Sequence, residues 1–487
     1  MTPAKRNKPI KSLPKTPTGI TGLDEVTGGG LPKGRTTLVT GGAGCGKTLF
    51  SMEFLVNGAT EYNEPGVFLA FEENAEELAQ NVASLGFDLK GLIKQKKLII
   101  DTVRIERNEI EETGEYDLDG LFIRLGYAID SIGAKRVVLD TIEVLFGALP
   151  NQAILRAELQ RLFRWLKSKG VSAIVTGERG VDTMTRFGLE EYVADCVIVL
   201  DHRLTEQVST RRIRIVKYRG SLHGTNEYPF LIGRDGISVL PITSLALEHK
   251  AGTGRISTGI KELDSMMGGK GYYRGSSVLL SGTAGSGKSS LAASFVDAAC
   301  RRGERCLYFP FEESESQILR NMRSIGIDLA PHVRKGLLQF HATRPSIYGL
   351  EMHLVTMYDL IRQHKPQIVV MDPITDFVSI GSQTEVKAAI TRIIDFLKSK
   401  EITGLFTSIM SEEEAADQSV VGVSSLIDTW ISLRNLEING ERHRALFILK
   451  SRGMPHSSQI RSFHLTSSGI AVGALDLAGR HNGSNAA

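Results

Sequence analysis

Two stretches hold residues that could grip phosphate: Gly41-Gly42-Ala43-Gly44-Cys45-Gly46-Lys47-Thr48 and Gly282-Thr283-Ala284-Gly285-Ser286-Gly287-Lys288-Ser289. Both fit G-x-x-x-x-G-K-[ST]. In that pattern glycines let successive backbone N–H groups turn inward around phosphate oxygens. The lysine reaches the outer phosphates, and the hydroxyl helps hold Mg²⁺. The expected nucleotide-binding residues are Gly44, Cys45, Gly46, Lys47, Thr48 and Leu49 in the first stretch. In the second they are Ala284, Gly285, Ser286, Gly287, Lys288, Ser289 and Ser290. Cys45 reads as a small residue that fits its loop, with oxidation sensitivity as a second reading.

Three further sets complete a phosphoryl-transfer chemistry. Asp140 and Asp372 end apolar strands beside the P-loop strand, where a carboxylate joins Thr48 or Ser289 in a Mg²⁺ shell. Glu72-Glu73 and Glu312-Glu313 follow another strand in each half, and could orient or deprotonate a nucleophile. Their spacing leaves open which glutamate of each pair does so, and a helix-capping role is the plainer reading. Lys217 and Arg219, and Lys450 and Arg452, stand two apart, which on a strand puts both cations on one face. Cations so far in sequence from their own P-loop suit a site completed by a neighbouring chain.

These sets recur because the chain is a tandem repeat. Thr18-Gly19-Ile20 leading to Leu23-Asp24 is answered by Thr258-Gly259-Ile260 and Leu263-Asp264. Arg136 to Asp140 is answered by Ile368 to Asp372, and His223 by His456. The expected layout is a basic disordered tail over 1–15, one domain over 16–240, a linker over 241–256, a second domain over 257–466, and a flexible tail over 467–487. Within each half, short apolar runs such as Thr36–Thr40, Val67–Ala70, Val137–Leu139 and Ala173–Thr176 alternate with amphipathic stretches such as 153–169. The expected fold is therefore α/β: two mostly parallel sheets, each flanked by helices, with ligands at the carboxyl ends of the strands.

Composition narrows the classes. At 487 residues the chain can bury more than one core. A net charge of +3 gives no global case for binding nucleic acid. No apolar run approaches the roughly 18 residues that span a bilayer. The four cysteines show no metal-ligand spacing, which suits free thiols in a reducing cytoplasm.

The two P-loops, the two Glu-Glu pairs, the K-x-R-G segments at Lys217 and Lys450, Glu227-Tyr228-Pro229-Phe230 and Glu401 to Phe406 together resemble the KaiC family of tandem RecA-like ATPases and autokinases. The resemblance covers about residues 16–470. It implies a homohexamer of two stacked rings, with ATP and Mg²⁺ bound between subunits. It implies slow hydrolysis in the first ring and self-phosphorylation in the second. The family's Ser-Thr acceptor pair maps onto Ser424 and Ser425. In the first half the same positions are Glu191 and Tyr192, so no transfer to them is expected there. By the same resemblance Arg444, Lys450, Arg452 and His456 reach the nucleotide from across the interface. Lys217, Arg219 and His223 are their first-half counterparts.

Two departures stand out. Pro373 follows Asp372 where family members commonly carry serine. The chain after Phe463 is short and unlike the long segment that the activator KaiA grips, which weighs against KaiA as a partner. A KaiB-like partner on the first ring stays open. Two other readings compete: a nucleotide-gated scaffold without autokinase activity, and a RecA-type DNA-dependent ATPase. The near-neutral charge and acidic Glu412-Glu413-Glu414 oppose the second of these.

Overall fold

The computed structural model describes residues 13–103, 118–146, 152–180, 193–205, 208–241, 252–410, 422–438 and 441–475. The chain divides into two compact units, Met1–Ser244 and Leu245–Ala487. In the first unit a short ribbon pairs β1 (Lys15–Thr16) with β2 (Leu31–Pro32). The main sheet contains β3 (Thr36–Gly41), β4 (Gly66–Ala70), β5 (Leu98–Thr102), β6 (Arg136–Asp140) and β7 (Ser172–Glu178). It continues with β8 (Cys196–Thr205), β9 (Val208–Tyr218), β10 (Glu227–Gly233) and β11 (Gly236–Val239).

The second unit repeats this plan. Its ribbon is β12 (Arg255–Ile256) with β13 (Tyr272–Tyr273). Its sheet holds β14 (Ser277–Gly282), β15 (Cys306–Pro310), β16 (Leu338–Phe340), β17 (Ile368–Asp372), β18 (Thr403–Ile409), β19 (Thr429–Ile438), β20 (Glu441–Ser451), β21 (Arg461–Thr466) and β22 (Gly469–Ala474). The first sheet runs β11-β10-β9-β8-β3-β7-β6-β4-β5. The second runs β22-β21-β20-β19-β14-β18-β17-β15-β16, the same order displaced by one repeat. From β8 to β5, and from β19 to β16, neighbours are parallel; the remaining strands add on antiparallel.

Burial explains the short apolar runs. Every residue of β3, β4, β6, β14, β15 and β17 is buried, because helices cover both faces of a parallel sheet. The repeated Thr-Gly-Ile segments are structural. Asp24 accepts from Thr18 N–H and Oγ1, and Asp264 accepts from Thr258 in the same way, closing the turn that begins each domain.

Ordered structure reaches beyond the expected domain limits. Lys15 pairs with Pro32, and Arg255–Ile256 forms a strand where a linker was expected. Gly469–Ala474 is a strand inside the expected tail. It pairs with β21 from Arg461↔Ala474 to Thr466↔Gly469 and buries Val472. Its glycines and alanines give little apolar signal, and pairing with the neighbouring strand supplies the order instead.

Glu53 links the P-loop helix Lys47–Glu61 to the far edge of the first sheet: its carboxylate accepts from Ile237 N–H at 2.8 Å. Burial pushes this carboxyl from 4.5 up to about 8, with hydrogen bonds from Ile237 and Asn57 opposing the rise. A raised carboxyl favours the folded state fully below its unfolded value, and loses that contribution as pH climbs through the folded one. The first unit is therefore expected to lose thermal stability between about pH 4.5 and 8, by up to about 1.4 kcal/mol per pH unit. Glu53→Gln should flatten that slope in calorimetric melts.

Candidate active sites

Each P-loop connects a buried strand to a helix, β3 to Lys47–Glu61 and β14 to Lys288–Arg301. Gly46 and Gly287 precede these helices at φ 105° and 102°, in the left-handed region open to glycine. A Cβ on Gly287 would also lie 2.4 Å from the Phe463 ring. No side chain caps either helix, so its first-turn N–H groups face the loop and suit an anion. The lysines bend back over their loops. Lys47 Nζ donates to Gly41 and Gly42 carbonyls at 2.8 and 3.0 Å, and Lys288 Nζ to Gly282 and Thr283 at 2.9 and 2.8 Å. Burial pulls Lys288 below the ordinary lysine value, against the charges of Asp372 and Glu312.

The second unit has a cleft of about 380 Å³ over this loop. Ala284, Gly285, Gly287, Lys288, Ser289, Ser290, Glu312, Glu313 and Asp372 line it, together with Asn321, Met322, Pro373, Ile409 and Leu465. The sequence-derived residues of the P-loop, the aspartate and the glutamate pair thus converge. One expectation needs correcting: β6 and β17 do not adjoin the P-loop strands, since β7 and β18 lie between. The intervening strand contributes a threonine. Thr176 Oγ1 donates to Asp140, and Thr407 Oγ1 to Asp372. Tyr308 donates a second bond to Asp372 at 2.6 Å, while the corresponding residue on β4 is Phe68. Burial pushes Asp140 above the ordinary aspartate range, and hydrogen bonds from Thr176 and Thr48 oppose it. Thr48 and Asp140 therefore meet as an all-oxygen pair, and Ser289 and Asp372 face one cleft. Both sets suit a hard dication such as Mg²⁺.

The paired glutamates differ. Glu313 is held by Asn321 Nδ2 at 2.9 Å, and Glu73 by Asn81 Nδ2 at 3.4 Å. Glu72 and Glu312 are exposed, and Glu312 lines the cleft. The helices that follow are capped by Asn74 and Ser314, so helix capping does not occupy either pair. Burial, with Glu312 and Asp372 nearby, also pushes Asp376 up to about 6.

Ser424 and Ser425 lie in a turn closed by Leu426 N–H to Val423 carbonyl at 2.9 Å; Ser424 is half-buried and Ser425 exposed. Lys450 Nζ donates to the Ser424 carbonyl at 3.0 Å, and Arg452 to that of Ser425 at 2.6 Å. Burial and the Arg452 charge pull Lys450 below its ordinary value. The paired cations share a strand only in part. Lys217 and Lys450 are on β9 and β20, but Arg219 and Arg452 stand in the turns beyond those strands. A register shift near each lysine, at Val197/Ile198 and Trp430/Ile431, ends the regular alternation. Arg444 separates from the other cations and donates to Gly285 of its own P-loop at 3.3 Å. His223 stacks on Tyr218 at 6.1 Å, and His456 is exposed. Cys45 is buried, and burial pushes its thiol up, so it lacks the thiolate character of an oxidation-sensitive cysteine. Glu191, Tyr192 and Glu412-Glu413-Glu414 lie outside the described residues.

The family model described as "ATPase: KaiC" matches residues 16–244 and again 256–476. The chain belongs to the KaiC family. "Circadian clock protein KaiC2" of Synechocystis is 58% identical over 95% of this chain and 82% of its own length. "Circadian clock oscillator protein KaiC" of Parathermosynechococcus lividus is 38% identical, covering 95% and 86%. The Prochlorococcus marinus (strain MIT 9313) protein of that name is 37% identical, covering 94% and 92%. This KaiC-family chain is thus a tandem ATPase, and no described helix is long and apolar enough to cross a membrane.

Asn81, Asn321, Tyr308, Thr176 and Thr407 were missed in the sequence. Asn81 and Asn321 stand at the same distance after each Glu-Glu pair, and that repetition could have found them. In this KaiC-family site Glu312→Gln is expected to lower ATP turnover in the second unit by about 100-fold, the scale of a lost proton acceptor. Asn321→Ala is expected to lower it by only about tenfold. Steady-state assays with Lys47→Ala in the background, to silence the first unit, check both.

Proposed function

We propose that this chain hydrolyses ATP with Mg²⁺ in both units and phosphorylates itself on Ser424 and Ser425. It does so as a ring of six copies, with each nucleotide held between neighbours. One observation supports the shared site above all. β19 runs parallel to β14, and Asp428 beside the acceptor turn bonds to Ser277 at the amino end of β14. The P-loop leaves the carboxyl end of the same strand. At about 3.3 Å per residue the strand separates the two by about 17 Å. Lys450 and Arg452 stand at the acceptor end with the serines. A hydroxyl and two cations so placed suit a neighbour's P-loop rather than their own. The ring of six follows from the family resemblance.

In this reading Glu312 of one subunit takes the proton from a serine hydroxyl of the next, or from water during hydrolysis. Glu313, steadied by Asn321, orients it. The serine Oγ–P bond forms as the bond to the leaving diphosphate breaks. Lys288 and the neighbour's Lys450 and Arg452 balance the charge that spreads over the transferring group. Ser289 and Asp372 would hold Mg²⁺, which would supply further charge neutralisation at the phosphates. Thr48 and Asp140 would hold it in the first unit, where Glu72 or Glu73 serves water, and Lys217, Arg219 and His223 close the site. The relatives are named circadian clock proteins, and a clock or stress-type signalling role is carried to this chain as part of the proposal. A KaiB-like partner on the first unit belongs to it too. Ile123 and Tyr127, 75% and 79% exposed and one helical turn apart, offer apolar surface there.

Mixing separates transfer between chains from transfer within one. Lys288→Ala removes the donor site, and the double change Ser424→Ala/Ser425→Ala removes the acceptors. Neither alone should gain phosphate at 424 or 425 with Mg-ATP. Mixed before nucleotide is added, the Lys288→Ala chain should be labelled, as read by phosphopeptide mass spectrometry. Label on Lys288→Ala without its partner, or no label in wild type, would overturn the proposal.

A further inference from the structure

Three successive carbonyls of the acceptor turn each accept from a cation. Ser424 is held by Lys450 at 3.0 Å, Ser425 by Arg452 at 2.6 Å and Leu426 by Lys398 at 3.3 Å. Lys450 and Arg452 already belong to the proposed site. Lys398 does not: it comes from the helix Gln383–Ser399, packed against the sheet of its own unit. The geometry points to Lys398 as a positioning residue for self-phosphorylation, one that fixes the Ser424–Ser425 turn by its third carbonyl so that the hydroxyls face outward.

Lys398 is itself fixed. Its ammonium pairs with Asp428 at 2.8 Å, and both side chains are about four-fifths buried, at 19% and 21% exposure. Asp428 accepts in turn from Ser277 N–H and Oγ, each at 2.9 Å. Ser277 Oγ also lies 3.1 Å from the Leu426 carbonyl, so its one proton is shared between that oxygen and Asp428. The turn is thus tied to the first residue of β14, the middle strand of the sheet. A cation on a helix of the core does not need to release the turn when Lys450 and Arg452 engage a neighbour's nucleotide.

The first unit is an internal control. Leu166-Lys167-Ser168-Lys169 corresponds to Leu397-Lys398-Ser399-Lys400, and Asp195 to Asp428. There Lys167 is exposed, and Asp195 pairs instead with Arg35 at 3.2 Å. Residue 276, the counterpart of Arg35, is serine. Replacing that arginine by serine leaves the aspartate to the helix lysine, in the unit that carries the serine pair.

The inference rests on the autokinase reading, and the test keeps their failures apart. Lys398→Met and Lys398→Arg are compared with the wild-type full chain in Mg-ATP. Initial phosphate incorporation at 424 and 425, ADP release, and hydrogen exchange of the 422–428 amides are measured. Lys398→Met should slow incorporation about tenfold or more, change ADP release by less than about twofold, and speed exchange in the turn. Lys398→Arg should restore incorporation to within about threefold. Unchanged exchange in Lys398→Met overturns the inference, whether or not any phosphate is incorporated. So does an equal fall in ADP release, which marks a general structural defect. A wild type that takes no label defeats the autokinase reading, and exchange alone then decides whether Lys398 holds the turn.

Discussion

A parallel strand has two different ends, and this chain puts the two halves of the proposed self-phosphorylation at them. The phosphate cradle leaves the carboxyl end of β14, while the serine turn and its cations gather at the amino end. Hydrogen bonding along β14 with β18 and β19 fixes that separation, and buried strands on either side keep it rigid. In the proposed self-phosphorylation, joining the two ends calls for a second copy of the chain. The cations reaching across and the trans acceptor of the proposal rest on this one polarity, and the ring of six on the family resemblance.

The duplication shows which features belong to the scaffold and which to the chemistry. Strand order, the left-handed glycines of the P-loop, the Asp-Thr contact and the Glu-Asn contact occur in both units. Two differences stand beside the second unit's candidate reactive groups. Tyr308 replaces Phe68 and gives Asp372 a second buried donor. Ser276 replaces Arg35, and the nearby aspartate changes its partner. Both of these changes keep the sheet intact and alter how a carboxylate or a turn is held.

Much of this was legible in the sequence. Strands buried on both faces read as continuous apolar runs, and the expected strands near Thr36, Val67, Val137 and Ala173 fall within a residue or two of the observed ones. The helix expected over 153–169 is found at Gln152–Ser168. The P-loops were legible because backbone geometry demands glycine at fixed places. Less was legible where the signal comes from a distant partner. β22 is ordered by pairing with β21, which the short Gly469–Ala474 run, with Ile470 and Val472 alone among glycines and alanines, does not announce. The family resemblance groups Arg444 with Lys450 without saying where each lies in the fold. A strand separates its ends, so six residues along β20 carried the two cations to opposite sides of the unit. The threonines behind Asp140 and Asp372 were hidden because an intervening strand brings them in.

The central claim is that each nucleotide is shared by two chains. Light scattering of the purified chain with and without saturating Mg-ATP tests this most directly, with turnover followed in the same sample. The account requires ATP to drive assembly to six times the mass of one chain, with turnover rising as assembly proceeds. A particle that keeps the mass of one chain while turning ATP over at its full rate would contradict it.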